Sequence, residues 1–187
     1  MPKIAIVAAI EREVWPLVKT WRSTKTDHEG REFTFYESGY AVAVCSGIGS
    51  DYARRGAEAI IARYSPELLI SAGIAGALVP ELRVGDTVFP TVVIDARDAS
   101  RHETSIRDAA LSNSPLARTV LVSSPEVAGA AQKRQLAKSY GAHLVDGIVK
   151  GLKVPDWPAD GWQALQRLAF SLCQECVAPA PAARSRG

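Results

Sequence analysis

Short apolar runs rich in β-branched residues alternate with stretches of helical periodicity along the first 146 residues, and this alternation limits the chain to a layered α/β architecture. The runs predict strands over residues 3–9, 31–37, 40–46, 68–72, 86–94, 119–123 and 143–145. The pair 31–37 and 40–46 reads as a hairpin about Ser38-Gly39. Helices are predicted over residues 14–21, with Pro16 in the first turn where its missing N–H costs little, and over 51–64, with apolar positions at Tyr52, Ala53, Ala57, Ile60 and Ile61. A third is predicted over residues 126–140, closed by Gly141. Strands alternating with helices imply a parallel or mixed sheet with helices packed on its faces.

Composition narrows the function classes. With 22 Lys+Arg against 20 Asp+Glu in 187 residues, the chain lacks the clustered positive charge of a nucleic-acid binder. The longest apolar stretches, 4–10 and 68–79, fall short of the ~20 residues that span a bilayer, so no membrane association is expected. Met-Pro-Lys followed at once by a strand-like run does not resemble a secretory leader, and the expected compartment is the cytoplasm. The three cysteines, Cys45, Cys173 and Cys176, do not make a disulfide framework. After Asp146 the texture changes. Residues 147–187 read as a divergent tail, rich in proline, with one predicted helix over 162–176 and a low-complexity end; residues 1–146 form the domain proper.

Two glycine turns follow apolar strands: Ser46-Gly47-Ile48-Gly49-Ser50 and Ser71-Ala72-Gly73-Ile74-Ala75-Gly76-Ala77-Leu78. Loops at the carboxyl ends of strands in such sheets are where ligands bind, and glycine lets backbone amides approach closely. Neither turn is a dinucleotide fingerprint or a P-loop, because Tyr52 stands at the third glycine position and no Gly-Lys-Ser/Thr follows. If strands 40–46 and 68–72 are neighbours, the turns share one pocket. The first strand delivers Glu11 and Glu13 to the same edge. Glu13 has the chemistry to orient or deprotonate a water, and both carboxylates equally suit the positive end of a following helix.

Three blocks together carry a resemblance: Ile4-Ala-Ile-Val-Ala-Ala-Ile-Glu-Arg-Glu-Val14, Cys45-Ser-Gly-Ile-Gly-Ser50, and the run from Ser71 to Asp86. The chain resembles the purine nucleoside phosphorylase and nucleosidase superfamily over residues 3–146, most closely in the style of the 5′-methylthioadenosine/S-adenosylhomocysteine nucleosidases. Leu121-Val-Ser-Ser124, the Lys133-Arg134 helix and Gly141-Ala-His-Leu-Val-Asp146 fit in the right order. The resemblance implies a phosphorylase/hydrolase-like three-layer α/β fold with a central mixed sheet, and cleavage of the N-glycosidic bond of a small-molecule purine nucleoside. It implies no cofactor and no metal, and it implies a homo-oligomer. Glu13 matches the water-activating glutamate. Ile10, Ile48, Ala75 and Gly76 match positions lining the nucleoside pocket; Ile74, also a substrate-binding candidate, is a departure that loses the hydroxyl of the Ser or Thr related nucleosidases often carry, and Ser123 falls near the strand end that borders the base pocket.

The resemblance fails after Asp146. The family continues with Met-Glu, whose glutamate holds the ribose hydroxyls, whereas this chain continues Gly147-Ile148. The later Ser/Asn-Asp pair, whose aspartate protonates the purine, has no counterpart; Asp156 and Asp160 do not match. These departures predict a truncated, divergent or frame-shifted C-terminal part and impaired turnover. A phosphate-dependent phosphorylase, using Arg54 or Arg101, and a non-catalytic nucleoside-binding remnant remain alternatives. Cys173-Gln-Glu-Cys176 lacks the further ligands of a zinc site and the helix-start position of a redox motif. His102 is either a loop residue near the sugar or an exposed histidine. Lys133 and Arg134 read as a solvated helix face, and Trp157 and Trp162 as a cover for apolar surface or a partner patch.

Overall fold

The computed structural model describes Pro2, residues 4–104, Leu116, residues 118–126 and residues 128–147. The predicted tail helix, Cys173, Cys176, Trp157, Trp162, Asp156 and Asp160 lie outside the described residues.

Among the described residues, ten strands form two five-stranded mixed sheets. The first is built from β1 (Ile4–Ala8), β2 (Arg22–His28), β3 (Arg31–Glu37), β4 (Ala41–Cys45) and β5 (Leu68–Ser71), in the order β2-β3-β4-β1-β5. β1 is parallel to both neighbours, with Ile4 opposite Ala41 on one side and Leu68 on the other. Every residue of β1 is buried, as expected of a parallel strand covered on both faces. Ala5 and Val7 pack with Phe33, Phe35, Val42, Val44 and with Ala59, Ile60 and Tyr64 of helix α2 (Ser50–Tyr64). Ile4, Ile6 and Ala8 pack instead with Val14 and Val18 of helix α1 (Glu11–Val18). The period-two alternation of β1 thus feeds two cores, and helix, sheet and helix stack as three layers.

The second sheet contains β6 (Gly76–Ala77), β7 (Val92–Asp95), β8 (Arg101–Glu103), β9 (Val120–Ser124) and β10 (Leu144–Gly147), in the order β6-β10-β9-β7-β8. Val92, Ile94, Val122 and Val145 form its core with Leu136 of helix α3 (Ala130–Tyr140). Gly141 closes α3 in the left-handed region at φ 59°.

Several boundaries differ from those predicted. α1 begins three residues before the expected start because Glu13 caps it, so Pro16 lies inside the helix rather than in its first turn. Residues 86–91 are not strand; Pro90, with no N–H for a ladder, precedes the start of β7 at Val92. α3 starts at Ala130, four residues late. In α2 the inward positions are Gly56, Ala59, Ile60 and Tyr64, while Tyr52 and Ile61 are exposed. β2 has no apolar run at all. It pairs with β3 across the Glu29-Gly30 turn, where both residues have positive φ and Asp27 Oδ1 accepts the Gly30 N–H. No described helix is long and apolar enough to cross a membrane.

Candidate functional site

The two glycine turns are not neighbours as expected, because β1 lies between β4 and β5. This correction centres the site on the end of β1. On one side Ala8 C=O accepts the Ser46 N–H at 2.9 Å and Ala9 C=O accepts the Gly47 N–H at 2.8 Å; on the other, Val7 C=O accepts the Ala72 N–H at 2.9 Å. The Glu11-Arg12-Glu13 turn of α1 therefore emerges between both glycine turns.

Glu13 uses both carboxylate oxygens there. Oε2 accepts the N–H groups of Ala9 at 3.0 Å and Ile10 at 3.2 Å, and Oε1 accepts the Ile74 N–H at 3.3 Å, a residue 61 positions away. The first two bonds fill donors that a helix N-terminus leaves open. The third ties the second glycine turn to α1. A Cβ at Gly73 would stand 3.3 Å from Oε1, close enough that the carboxylate would have to give by a few tenths of an ångström. Burial pushes the Glu13 carboxyl above its ordinary range, against the three backbone N–H groups that favour the charged form, and the nearby Asp146 carboxylate raises it further.

The first glycine turn is braced from outside. Gly47 and Gly49 have φ of 102° and 115°, conformations that L side chains rarely adopt. The Arg31 guanidinium donates to Ser46 C=O at 2.8 Å and stacks on the Tyr52 ring 4.1 Å from its centroid. Arg31, in a strand of mixed polarity, carried no signal in the sequence. Tyr36 Oη donates to Glu11 Oε1 at 2.5 Å, anchoring the first turn of α1 to β3. Beneath these carboxylates, burial and then Glu11 and Glu13 push the Cys45 thiol up to about 12.

The second sheet meets this edge through the ends of its parallel strands. Asp95, Ser123 and Asp146 stand in one register row across β7, β9 and β10. Asp95 is gripped by Arg97, which holds its carboxyl down at about 2, and Arg97 Nη1 reaches Ser50 Oγ at 3.2 Å at the start of α2. This arginine ties the end of β7 to the start of α2.

Of the predicted pocket residues, Ile10 and Ile74 come together around Glu13, and Ile48 is exposed in the first glycine turn. Ala75 and Gly76 continue from Ile74, with Gly76 paired to Val145 in β6. Ser123 enters through the row with Asp146. Other assignments change. Arg54 is tied to Glu58 in an exposed pair at 2.7 Å, and Arg101 is exposed on the edge strand β8. His102 is exposed, with its ring 3.2 Å from Ser100 Oγ. Lys133 is not on a solvated face: it is half-buried, and a Cβ at Gly76 would stand 3.1 Å from its Nζ. A separate cavity of about 260 Å³ opens between β9 and α3, lined by Ala96, Ser124, Gln132, Leu136, Ser139 and Tyr140. No cluster of three or more metal-ligating side chains occurs among the described residues.

A model of the phosphorylase superfamily matches residues 3–155. The chain belongs to the phosphorylase superfamily. The match runs past Asp146, beyond the stretch in which individual motifs are legible. Among curated relatives of this superfamily member, the aminodeoxyfutalosine nucleosidase of Campylobacter jejuni is 34% identical over 94 residues, covering 49% of this chain and 41% of that protein. A 5′-methylthioadenosine/S-adenosylhomocysteine nucleosidase of Shewanella piezotolerans is 37% identical over 94 residues, with the same coverage of 49% and 41%. The chain thus spans about two fifths of the length of the curated relatives it matches. Among solved structures, the 5′-methylthioadenosine/S-adenosylhomocysteine nucleosidase of Campylobacter jejuni aligns at TM-score 0.69 and 19% identity, covering 94% of this chain and 99% of that one. The futalosine hydrolase of Helicobacter pylori aligns at TM-score 0.65 and 18% identity, covering 90% and 80%. At these identities the structures establish the shared fold.

Proposed function

We propose that this phosphorylase-superfamily chain binds a purine nucleoside where its two sheets meet and hydrolyses the N-glycosidic bond, in the manner of the methylthioadenosine/S-adenosylhomocysteine nucleosidases. The observation that carries the reading is the setting of Glu13: a half-buried carboxylate held by three backbone N–H groups between two glycine turns. C–N cleavage leaves a sugar with oxocarbenium character, which needs negative charge nearby and a water delivered to the anomeric carbon. Glu13 supplies the charge and accepts the water's proton as the new C–O bond forms, while the C–N electron pair leaves with the purine, which takes its proton from solvent. Ile10, Ile48, Ile74, Ala75 and Gly76 line the nucleoside, and Ser123 borders it. The names of the two curated relatives described above, both nucleosidases, support hydrolysis over phosphorolysis, as does the engagement of Arg54 with Glu58. The active form is a homo-oligomer by the same resemblance.

A second reading, a nucleoside binder without turnover, is favoured by two features. Ile148 stands where the resemblance calls for a ribose-binding glutamate. Both oxygens of Glu13 are also engaged in bonds that serve the helix end and the turn. Titration calorimetry with 5′-methylthioadenosine, followed by an assay of adenine release, separates the readings. Turnover abolished by Glu13→Gln supports hydrolysis; binding without adenine release supports the binder; absence of binding to methylthioadenosine, adenosine and adenine refutes both.

A further inference from the structure

We propose that the cavity between β9 and α3 is a second ligand site, separate from the nucleoside site, and that it takes a free, uncharged purine base. The pleat of β9 separates the two. Val122 is buried in the core with Leu136 of α3, and Ser124, two positions on, is buried on the same face. Ser123, between them, stands on the opposite face, in the register row with Asp95 and Asp146. The same alternation in β7 and the residue after it puts Ile94 and Ala96 on the α3 side, where both pack into that core. Ser124 and Ala96 therefore line a cavity that Ser123 and Asp95 do not reach.

The walls select the chemistry of the occupant. Gln132, Gln135, Leu136 and Ser139 recur at helical spacing and form one stripe of α3 along the cavity, with Tyr140 at its end. Among the described residues that line it, none is charged, so a phosphate, carboxylate or ammonium ligand would leave water without a counter-charge. The side chains of Gln132, Gln135, Ser139 and Tyr140 make no hydrogen bond within the protein among the described residues, which leaves a set of donors and acceptors open to a ligand. A carboxamide presents a donor and an acceptor side by side, and that pair complements the N6 amine and N7 of adenine. Ala96, Pro125 and Leu136 supply the apolar surface against which a flat ring can lie. The cavity volume of about 260 Å³ holds a base and stands below the range of about 300–1,000 Å³ that larger ligands occupy.

The test is titration calorimetry of the full chain with adenine, and with unsubstituted purine, which lacks the N6 amine. Ser139 is exposed on α3, so Ser139→Trp fills the cavity without entering the core. The wild type should bind two adenines per chain where the nucleoside reading holds and one where it fails; in either case Ser139→Trp should remove one. At the site so removed, purine should bind about tenfold more weakly than adenine, because a carboxamide loses one of its two partners. Gln132→Ala/Gln135→Ala should weaken adenine there by about tenfold or more, and this variant decides the matter if Ser139→Trp does not fold. Adenine stoichiometry and affinity unchanged in the variants that fold would overturn the proposal, as would equal affinity of adenine and purine at the cavity. Absence of adenine binding also overturns it, and binding of 5′-methylthioadenosine by the same protein would leave the nucleoside reading standing.

Discussion

Gly56→Ala should destabilise the protein even though alanine is the better helix former. Gly56 faces inward in the middle of α2, and a Cβ there would lie 2.4 Å from Ser46 Cβ and 3.5 Å from Ser46 Cα. Ordinary carbon contacts sit near 3.5–4.0 Å, so α2 or the end of β4 must move by about 1 Å. The obstacle cannot rotate away, because it is a Cβ fixed to a fully buried residue whose hydroxyl donates to Ala8 C=O at 3.2 Å. Overpacking of this kind costs about 1–3 kcal/mol, and the rigid obstacle places it at the upper end. Helix propensity returns about 1 kcal/mol, leaving a net loss of about 2 kcal/mol. Ser46→Gly removes the obstacle but loses a buried hydrogen bond and adds chain freedom, for about 1–2 kcal/mol alone. The double variant should recover most of the Gly56→Ala loss. Urea denaturation of the four proteins should measure a coupling of about 3 kcal/mol, the overpacking that only the two side chains together create. Additive losses within about 0.5 kcal/mol, or a Gly56→Ala protein more stable than wild type, would refute the close-approach argument.

Glu13, with its folded pKa raised mainly by burial, binds a proton more tightly in the folded than in the unfolded chain. Its contribution to stability is thus present below the unfolded value of about 4.5 and declines as pH rises from there through the folded pKa. The stability of wild type relative to Glu13→Gln, from urea titrations between pH 4 and 8, should fall across that window and then level; a rise would contradict the burial argument. Cys45, pushed up to about 12, should remain a thiol at pH 8. In a Cys173→Ser/Cys176→Ser background it should react with an aromatic disulfide at least about tenfold more slowly in the folded protein than in urea. Tyr36→Phe removes the bond to Glu11 and should cost about 1 kcal/mol by thermal denaturation, reduced from the usual value for a charged acceptor because Glu11 is exposed.

The parts of the fold legible in the sequence are those whose burial matches a simple period. β1 and β4 are short apolar runs because they are covered on both faces, and with β5, whose Leu69 is exposed, they fall within a residue or two of the expected limits. β2 reads Arg-Ser-Thr-Lys-Thr-Asp-His because it is an edge strand, stabilised by cross-strand pairs such as Arg22–Glu37 and Lys25–Glu32 rather than by a core. Tyr52 and Ile61 satisfy a helical period without being buried, since Gly56 brings the neighbouring face of α2 against the sheet. Glu13 was legible as a carboxylate at a strand end. Its bond to Ile74 was not, because strand order decides which loops meet, and the sequence does not state that β1 separates β4 from β5. The Asp95–Ser123–Asp146 row was hidden for the same reason, since register is a property of three strands together.

The central place of β1 has a consequence for the order in which the molecule assembles. β2, β3 and β4 join through short turns, whereas β1 must find Ala41 across 37 positions and Leu68 across 64. Loop closure makes such distant parallel pairings late events in folding. Glu13 hangs from the end of this strand, and its contact with Ile74 requires β5 to be seated as well. The proposed nucleoside recognition should accordingly be the final property the chain acquires, appearing in stopped-flow refolding no earlier than the slowest phase, while the β2–β3–β4 meander forms without it.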